Sequence, residues 1–444
     1  MEINSSTIKK IILIFFILLI ITIGIFSYSI LSKKTIYNGV TVNGVSVGTL
    51  NTIDAETRLK EQLDKAVKSK QVLLQHDSYK KDVKYKDLGI TYDYSKGVKE
   101  AFDIGRKGNI VKRLRDIISV SFNGKNISMD IVKDENKIND LISSIKKDVN
   151  KDKKEAKIQY SNGQFTITPE ESGLEVDEKK LKSEIIDKIE NEDFIKIPVN
   201  EVKPTVTKET LSQIKTEIGS FSTTFGTNDA NRVHNIRLVS SKIDGKTIMP
   251  GEVFSFNKTT GPRSKSAGYK DATIIVNGEF VPGEGGGVCQ VSSTLYNAAV
   301  LSNTQIVART HHALPVGYVP HGQDATVAYD YLDLKFKNTF DWPIYIKADV
   351  MGNQLLIKLF GKEKNPNRVI KMESEIVERV KPTVETIIDK SLKPGQSVVS
   401  QKGRVGYRVN TYKVTYENGA VVEKGLLHKD YYKPKKQIIR KGSK

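Results

Sequence analysis

The feature that most constrains this chain is an apolar run near its N-terminus. Residues 11–32, IILIFFILLIITIGIFSYSILS, carry no charge and are long enough to cross a bilayer as one helix. A cleaved signal peptide is the alternative, but its apolar region is usually shorter and ends at a small-x-small site, which is absent before Lys33. We therefore expect residues 1–34 to form a cytoplasmic stub and a single-pass anchor in the cell membrane. The rest of the chain would then be an extracellular domain.

The length and charge of the chain set further limits. At about 150 residues per domain, 444 residues predict roughly three domains. The formal net charge is +18, and the lysines are spread along the chain among acidic residues. This pattern is typical of solvated surfaces, and it also suits attraction to an anionic wall polymer or membrane surface. One cysteine excludes an intramolecular disulfide, and an exported protein is not expected to bind nucleic acid.

Two stretches within residues 35–205 share a pattern. LGITYDYSKGVKEAFDI and SGLEVDEKKLKSEIIDK each contain a glycine, a short strand, an aspartate and an amphipathic helix. Gly89 pairs with Gly173, and Asp93 pairs with Asp177. The repeat predicts two related α+β units, which suit a spacer or a polymer-binding module.

The composition changes from about residue 218. Four of the six histidines lie around the only cysteine, and lysines become less frequent. After residue 362 the stretch YRVNTYKVTYENGAVVEKGLL predicts two strands joined by an Asn-Gly turn. We therefore predict an α+β protein with a single N-terminal transmembrane helix. Two α+β repeat units at 35–205 precede a β-rich α+β catalytic domain at 218–362 and a small all-β domain at 370–444.

The candidate nucleophile is Cys289, within PGEGGGVCQVSSTLYNAA. Apolar spacing after the cysteine predicts a helix, which places the thiol in the first turn, where the free N–H groups and the helix dipole favour a thiolate. The glycines before it, including Gly286 and Gly287, allow backbone N–H groups to point at a developing oxyanion. Ser292, in the same helix, is a candidate for substrate binding.

The segment ARTHHALPVGYVPHGQDATV offers the other groups of a thiol acyl-transfer site. Adjacent histidines in a strand point to opposite faces, so only one of His311 and His312 is expected to face the cysteine. Asp324 can orient the imidazole. Arg309 or Arg263 can hold a substrate carboxylate in a bidentate clamp.

The sequence is also compatible with two other interpretations of the cysteine. A lone cysteine is often a small buried residue with no reactivity. A zinc site built from Cys289, His312 and either His321 or Asp324 is another possibility, although the close-spaced ligand pairs of common zinc motifs are absent.

The blocks GGGVCQVSSTLYNAA and GQDATVAY resemble the VanW family, and the resemblance covers about residues 225–362. The repeats before it resemble peptidoglycan-binding units, and the tail resembles the five-glycine wall-adhesion domain. That tail places five glycines as such a domain does: Gly395, Gly403, Gly406, Gly419 and Gly442. Together they resemble an anchored wall protein of a Gram-positive bacterium.

The VanW resemblance implies a cysteine L,D-transpeptidase that acts on peptidoglycan stem peptides without metal or organic cofactor. It maps Cys289 to the family cysteine and His312 to the family histidine, whose HSLP stretch here reads HALP. The SHGC signature of YkuD-type L,D-transpeptidases is absent. The alternatives are a non-catalytic wall-binding protein and another cysteine-dependent acyl transferase or peptidase, for example a sortase-like enzyme.

Overall fold

The structure is a computed structural model that describes residues 5–276, 279–363 and 365–443. Residues 1–4 of the predicted stub and Lys444 of the predicted C-terminal domain lie outside the described residues. Helices and strands are mixed up to Leu301, and strands alone follow among the described residues, which confirms the predicted α+β class. The apolar run forms α1, Ser5–Leu31. Within it, Ser6–Leu31 is long and apolar enough to cross a membrane, and its side chains are not buried by the rest of the chain.

Residues 36–202 form short strands and amphipathic helices. In chain order they are β1 (Val40–Val42), β2 (Val45–Ser46), α2 (Thr52–Ser69), β3 (Gln71–His76), β4 (Tyr79–Lys84), β5 (Thr91–Tyr92), α3 (Tyr94–Asp103), α4 (Ile110–Asn123), β6 (Lys125–Ile127), β7 (Ile131–Val132), α5 (Glu135–Val149), β8 (Lys157–Ser161), β9 (Gln164–Thr168), β10 (Gly173–Val176), α6 (Glu178–Lys188), β11 (Phe194–Lys196) and β12 (Val199–Val202).

The predicted internal repeat is visible in the way two helices begin. Asp93 caps α3 by accepting a hydrogen bond from the Lys96 N–H at 2.9 Å, and Asp177 caps α6 through the Lys180 N–H at 3.1 Å. The paired glycines differ, because Gly89 has a φ of +62° whereas Gly173 lies in strand β10. The aspartates therefore carry the structural similarity of the two copies.

The chain divides into two compact units. The first contains Met1–Lys153 and Ser172–Lys203, and the second contains Lys154–Glu171 and Pro204–Lys444. The hairpin β8–β9, which the prediction assigned to the repeats, thus belongs to the second unit. Its aromatic side chains explain this, because Phe165 packs at 5.4 Å and 5.2 Å from the ring centroids of Tyr345 and Phe360.

The second unit continues with helices and longer strands. They are α7 (Lys208–Leu211), β13 (Thr216–Thr224), α8 (Ala230–Ile243), β14 (Thr247–Ile248), β15 (Val253–Ser255), α9 (Phe256–Thr260), β16 (Asp271–Val276), β17 (Glu279–Glu284), α10 (Val288–Leu301), β18 (Gln305–Ala308), β19 (Lys335–Lys337), β20 (Ile344–Met351), β21 (Gln354–Gly361), β22 (Arg368–Val380), β23 (Val384–Asp389), β24 (Ser397–Gln401), β25 (Gly406–Glu417), β26 (Ala420–Tyr432) and β27 (Gln437–Gly442).

Helix α10 is the centre of this unit. It packs against the sheet of order β13-β21-β20-β14 and against α8. Residues 288–300 are buried on all sides of the helix except at Cys289. Burial on every side follows from the composition, because no residue of VCQVSSTLYNAAVL is charged.

The C-terminal residues form two three-stranded sheets, of order β22-β25-β26 and β23-β27-β24. Strands β25 and β26 are joined at Asn418 and Gly419, whose φ values are +51° and +83°. Positive φ at both turn residues is the geometry that an Asn-Gly hairpin provides. The predicted two-strand unit and the all-β character of this region are confirmed.

Candidate active site

A turn of three glycines, residues 285–287, precedes α10. Gly285 and Gly287 have φ values of +81° and +104°, which L side chains rarely adopt. At Gly286 a Cβ atom would lie 2.7 Å from the Thr273 carbonyl oxygen, so the turn fits closely against strand β16. The Asn235 side chain on α8 fixes it by donating to the Gly286 carbonyl at 3.0 Å.

Cys289 is the second residue of α10, in the first turn as its spacing predicted. Among the described helices α2 to α10, only α10 begins without a side-chain cap, because its N-cap is Gly287. The N–H groups of Gly286 and Gly287 donate no hydrogen bond to any described residue. The turn therefore keeps donors near the thiol available for a ligand.

Buried hydroxyl groups of α10 hold the segment 323–327 beside the cysteine. Ser292 Oγ donates to the Ala325 carbonyl at 2.6 Å, and Ser293 Oγ accepts from the Ala325 N–H at 2.9 Å. Asn297, one turn later, donates to the Gln323 carbonyl at 2.7 Å. The SSTLYN sequence after the cysteine thus explains how Asp324 is positioned.

His312 lies between Cys289 and Asp324. Its Nδ1 lies 2.5 Å from Asp324 Oδ2, and its backbone N–H donates to the same oxygen at 2.6 Å. The His312 side chain also interacts with the Cys289 thiol. The sulfur also lies 3.6 Å from the Val327 carbonyl oxygen and 3.7 Å from Thr326 Oγ1. The three residues therefore have the order of a nucleophile, a base and an orienting carboxylate.

The three groups change each other's pKa. Burial alone would raise the pKa of the Cys289 thiol, but the hydrogen bond and charge of His312 outweigh burial and lower this pKa to about 7. For His312, burial favours the neutral ring, yet Asp324 and the thiolate together raise its pKa to about 9. Burial opposes ionisation of Asp324, but the hydrogen bond and charge of His312 and the charge of Arg309 hold its pKa well below the usual range. Between pH 7 and 9 the site therefore holds a thiolate and an imidazolium.

Arg263 brings a positive charge to the same site. Its Nη2 donates to Asn257 Oδ1 at 2.6 Å, whereas its Nε and Nη1 atoms are buried without a hydrogen-bond partner among the described residues. The guanidinium interacts electrostatically with Cys289. A buried guanidinium with unused donors can accept a carboxylate from a ligand.

Two predicted substrate-binding residues have structural partners instead. Arg309 is 5% exposed in its side chain, and its Nη1 donates to both oxygens of Asp430 at 2.7 and 2.8 Å. Its Nε donates to the Asp324 carbonyl at 2.6 Å, and its Nη2 donates to Asp324 Oδ1 at 3.2 Å. Ser292 is fully buried and bonded to Ala325. The donors of both side chains already have acceptors within the protein, so the geometry argues against both assignments.

The remaining histidines lie outside this arrangement. The His311 ring packs 5.1 Å from the ring centroid of Tyr432, and its Nδ1 lies 2.7 Å from the His312 carbonyl oxygen. His321 packs against Tyr407, with ring centroids 4.6 Å apart. The zinc ligand set that includes His321 is therefore not assembled. More generally, the described residues contain no group of three or more His, Cys, Asp or Glu side chains that could hold a metal ion.

Sequence reasoning missed two neighbours of the site. Tyr318 interacts with the Ser293 hydroxyl, and burial together with the Cys289 charge raises its pKa well above the usual value. Tyr432, on β26, donates to Asp324 Oδ1 at 2.5 Å. No local pattern identifies Tyr432, because it is separated from Asp324 by 108 residues and is one of two adjacent tyrosines at the end of its strand.

Three regions match protein-family models. Residues 231–360 match the family described as "VanW like protein". Residues 82–197 match the "Putative peptidoglycan binding domain", and residues 371–444 match the "G5 domain". The resemblances identified from the motifs are thereby confirmed in the same order along the chain.

Two curated proteins are similar to this chain. The uncharacterized protein YoaR of Bacillus subtilis (strain 168) is 41% identical over 179 residues, which cover 40% of this chain and 59% of YoaR. The vancomycin B-type resistance protein VanW of Enterococcus faecalis (strain ATCC 700802 / V583) is 28% identical over 156 residues. Those residues cover 34% of this chain and 56% of that protein. The chain thus spans less than two thirds of the length of either relative.

Two solved structures resemble the C-terminal region. The IgA1 protease G5 domain is 21% identical, with a TM-score of 0.16, and the match covers 19% of this chain and 99% of that domain. The G5 domain of HP0197 is 27% identical, with a TM-score of 0.13, and covers 17% of this chain and 97% of that one. By the family matches alone, the region that matches the VanW like model lies between regions that match a peptidoglycan-binding model and a G5 model.

Proposed function

We propose that this protein is a membrane-anchored L,D-transpeptidase that cross-links peptidoglycan stem peptides through a thioester on Cys289. The observation that carries the proposal is the contact series Cys289–His312–Asp324 at the uncapped start of α10. The matches to VanW like and peptidoglycan-binding models support a role in the cell wall. Helix α1 would anchor the chain with the catalytic unit on the outer side.

The first step breaks the peptide bond between the third and fourth residues of a donor tetrapeptide stem. The Cys289 thiolate attacks the carbonyl carbon, and the carbonyl oxygen becomes an oxyanion. As the tetrahedral intermediate collapses, His312 gives its proton to the departing amine of D-Ala. The product is a thioester between Cys289 and the third residue, and it keeps the energy of the donor peptide bond.

The second step uses the side-chain amine of a diamino acid on another stem. His312, now neutral, takes a proton from this amine as the amine attacks the thioester carbonyl. The C–S bond breaks, the thiolate returns, and a peptide bond joins two third-position residues. The site needs no nucleotide or cofactor, because the donor bond supplies the energy for the new one.

The oxyanion of both steps needs hydrogen-bond donors. We assign this role to the N–H groups of Gly286 and Gly287, which donate to no described residue. The helix dipole of α10 adds a partial positive charge at the same end. A side-chain cap at residue 287 would accept from the N–H groups of the first turn of α10, so an uncapped helix leaves this end of the helix open to the oxyanion.

Arg263 would hold a carboxylate of the donor stem, such as that of the terminal D-Ala. Its two buried, unpartnered nitrogen atoms and its electrostatic interaction with Cys289 support this role. A bound carboxylate would satisfy the donors and compensate a guanidinium charge that no described carboxylate pairs within 4 Å. Specificity for donors with a free C-terminal carboxylate follows.

A second candidate function rests on the same arginine. A cysteine, a histidine and an arginine in one site are also compatible with a sortase-like transfer, in which Arg263 would stabilise the oxyanion rather than a carboxylate. The donor would then be a protein segment, and the product would be a protein–peptide conjugate.

Incubation of the full chain in detergent with tetrapeptide stems, followed by mass spectrometry, tests these functions. We expect a cross-linked dimer with loss of D-Ala, and no dimer with Cys289→Ala. A hydrolysed tripeptide alone would indicate a carboxypeptidase. Full activity in Cys289→Ala, or wall binding without any product, would contradict the catalytic proposal.

A further inference from the structure

The carboxylate of Asp324 takes part in hydrogen bonds through both of its oxygens. Its Oδ2 accepts from the His312 backbone N–H at 2.6 Å and faces His312 Nδ1 at 2.5 Å. Its Oδ1 accepts from the Tyr432 hydroxyl at 2.5 Å and from Arg309 Nη2 at 3.2 Å. Tyr432 belongs to β26, within the region that matches a G5 domain. One oxygen of the catalytic carboxylate is thus held by the C-terminal region.

The Tyr432 hydroxyl is fixed by a second contact. Its side chain is fully buried, and its oxygen accepts a hydrogen bond from the Gly322 N–H at 2.9 Å. The Gly322 carbonyl in turn accepts from Thr411 Oγ1 on β25 at 3.2 Å. A Cβ atom at Gly322 would lie 2.2 Å from this Thr411 oxygen, so only glycine fits here. The loop that carries Asp324 therefore lies directly on strands β25 and β26.

A second link starts from Asp430, two residues before Tyr432 on the same face of β26. It is 4% exposed and binds Arg309 through both oxygens. Arg309 thus lies between two carboxylates, Asp430 and Asp324. His428 lies on the same face of β26, and its Nε2 is 2.9 Å from the Tyr296 hydroxyl oxygen of α10. Three alternating residues of β26 therefore contact the catalytic region.

We propose that β26 is part of the catalytic machinery, with Tyr432 as a positioning residue that acts through Asp324 and Asp430 as one that acts through Arg309. This rests on the proposed catalytic roles of Cys289, His312 and Asp324. The C-terminal region then has a role in the reaction besides any attachment to the wall.

The physical reason is the geometry of a carboxylate. A carboxylate turns readily about its last side-chain bond, and two donors on Oδ1 keep its plane fixed so that Oδ2 stays directed at His312 Nδ1. That hydrogen bond keeps a proton on Nδ1, so Nε2, the nitrogen that does not face Asp324, is the one that loses and regains its proton. The same bond stabilises the imidazolium. Removal of the Tyr432 hydroxyl would leave Arg309 as the only donor to Oδ1 among the described residues and would loosen this alignment.

Asp430 acts through the balance of charges around Arg309. Arg309 carries one positive charge, and Asp430 compensates it through two hydrogen bonds. Without that charge, Arg309 would be compensated by Asp324 alone, and Asp324 would stabilise the His312 imidazolium less. The Cys289 thiolate depends on that imidazolium, so the effect would reach the nucleophile.

The test is the pH dependence of Cys289 alkylation by iodoacetamide in the full chain, which requires no peptide substrate. In Tyr432→Phe we expect the apparent pKa of the thiol to rise and the alkylation rate at pH 7 to fall by about 3- to 10-fold, since each pKa unit is worth a factor of ten in thiolate. Tyr431→Phe is the matched control, because Tyr431 is the neighbouring tyrosine of the same strand and packs under Arg408. The other titratable or cationic groups near the reacting atoms are unchanged in both variants: His311, His312, Tyr318, His321, Arg263 and Arg309.

Asp430→Asn is the second variant, and it should shift the alkylation profile in the same direction. In a peptide assay, Tyr432→Phe should lower kcat and leave KM for the donor unchanged, because Tyr432 contacts no substrate. A lowered melting temperature with unchanged alkylation profiles in both variants would overturn the inference and leave Tyr432 a packing residue. If the wild-type thiol itself has an ordinary pKa near 8.5, this contradicts the proposed catalytic triad, whatever the role of Tyr432. That outcome is distinguishable because the variants are not needed to observe it.

Discussion

Two helices of this protein, α5 in the first unit and α10 in the second, are built on opposite principles. Helix α5 begins at the capping residue Asp134, whose carboxylate accepts from the N–H groups of Asn136 and Lys137 at 3.0 and 3.3 Å. It buries one stripe of apolar residues, Ile138, Ile142, Ile145 and Val149, and exposes most of its other positions. Its polar groups face water, and its stability comes from the apolar stripe.

Helix α10 reverses each of these features. It has no side-chain cap, it is buried on all sides, and its buried positions include the polar side chains Gln290, Ser292, Ser293, Thr294 and Asn297. Each of these makes hydrogen bonds, and several bind the segment that carries Asp324. Buried polar groups cost free energy unless they are paired. The polar side chains of α10 therefore serve to position the segment that carries Asp324, whereas the features of α5 are explained by the stability of that helix alone.

The largest expected effect comes from the base that α10 faces. His312→Ala should lower transpeptidation by roughly 10³- to 10⁴-fold, because the thiolate loses its partner and the leaving amine loses its proton donor. The rate of dimer formation measures this. His311→Ala is the matched control and should keep most of the activity, since the His311 ring contacts Tyr432 and not Cys289. The reverse pattern would contradict the choice of His312.

A smaller effect is expected from the polar positions of α10 itself. Ser293→Ala removes the acceptor of the Ala325 N–H and so leaves a buried donor unpaired, which costs about 1–3 kcal/mol. Movement of residues 323–327 should also slow Cys289 alkylation by about 10-fold. Ser302→Ala, at the other end of the helix, removes only a bond to the Ala298 carbonyl. Equal effects of the two changes on alkylation would show that Ser293 merely stabilises the helix.

The pH dependence distinguishes α10 from an ordinary helix with a thiol. Alkylation should rise with pH through about 7 and then level off, because the thiolate forms there. Transpeptidation should rise through about 7 and fall above about 9, because His312 then lacks the proton for the leaving amine. One pH unit below the thiol pKa leaves about a tenth of the thiolate, so both rates at pH 6 should be about 10-fold below the plateau. If both rates instead rose only once, with a midpoint near pH 8.5, Cys289 would be an isolated thiol without an imidazolium partner.

The same contrast explains how far the sequence could predict the structure. Local patterns were sufficient for α3 and α6 of the two repeat copies, for the start of α10 at Cys289 and for the Asn-Gly hairpin of β25 and β26, because capping, spacing and turn chemistry act over a few residues. The pattern also led to His312 and Asp324 as candidates, which the structure brings together with Cys289.

Long-range pairing was beyond local patterns. Arg309 looked like a substrate ligand because its partner Asp430 is 121 residues away in sequence, and Tyr432 carried no local mark. The hairpin β8–β9 was placed with the repeats, since nothing within it shows that Phe165 packs on Tyr345 and Phe360. In each case the deciding contact joins residues that are far apart along the chain.

The smallest expected effect concerns the cap of α5. Asp134→Ala should destabilise this helix by about 1 kcal/mol, because two N–H groups of its first turn lose their acceptor. Hydrogen exchange of the α5 amides, read by mass spectrometry, should become about fivefold faster, and Cys289 alkylation should not change. Asp140→Ala, an exposed acid in the same helix, is the control and should alter exchange by less than about twofold. A change in alkylation with Asp134→Ala would mean that the stability of the first unit influences the thiol, and the division between a helix built for stability and a helix built for position would then fail.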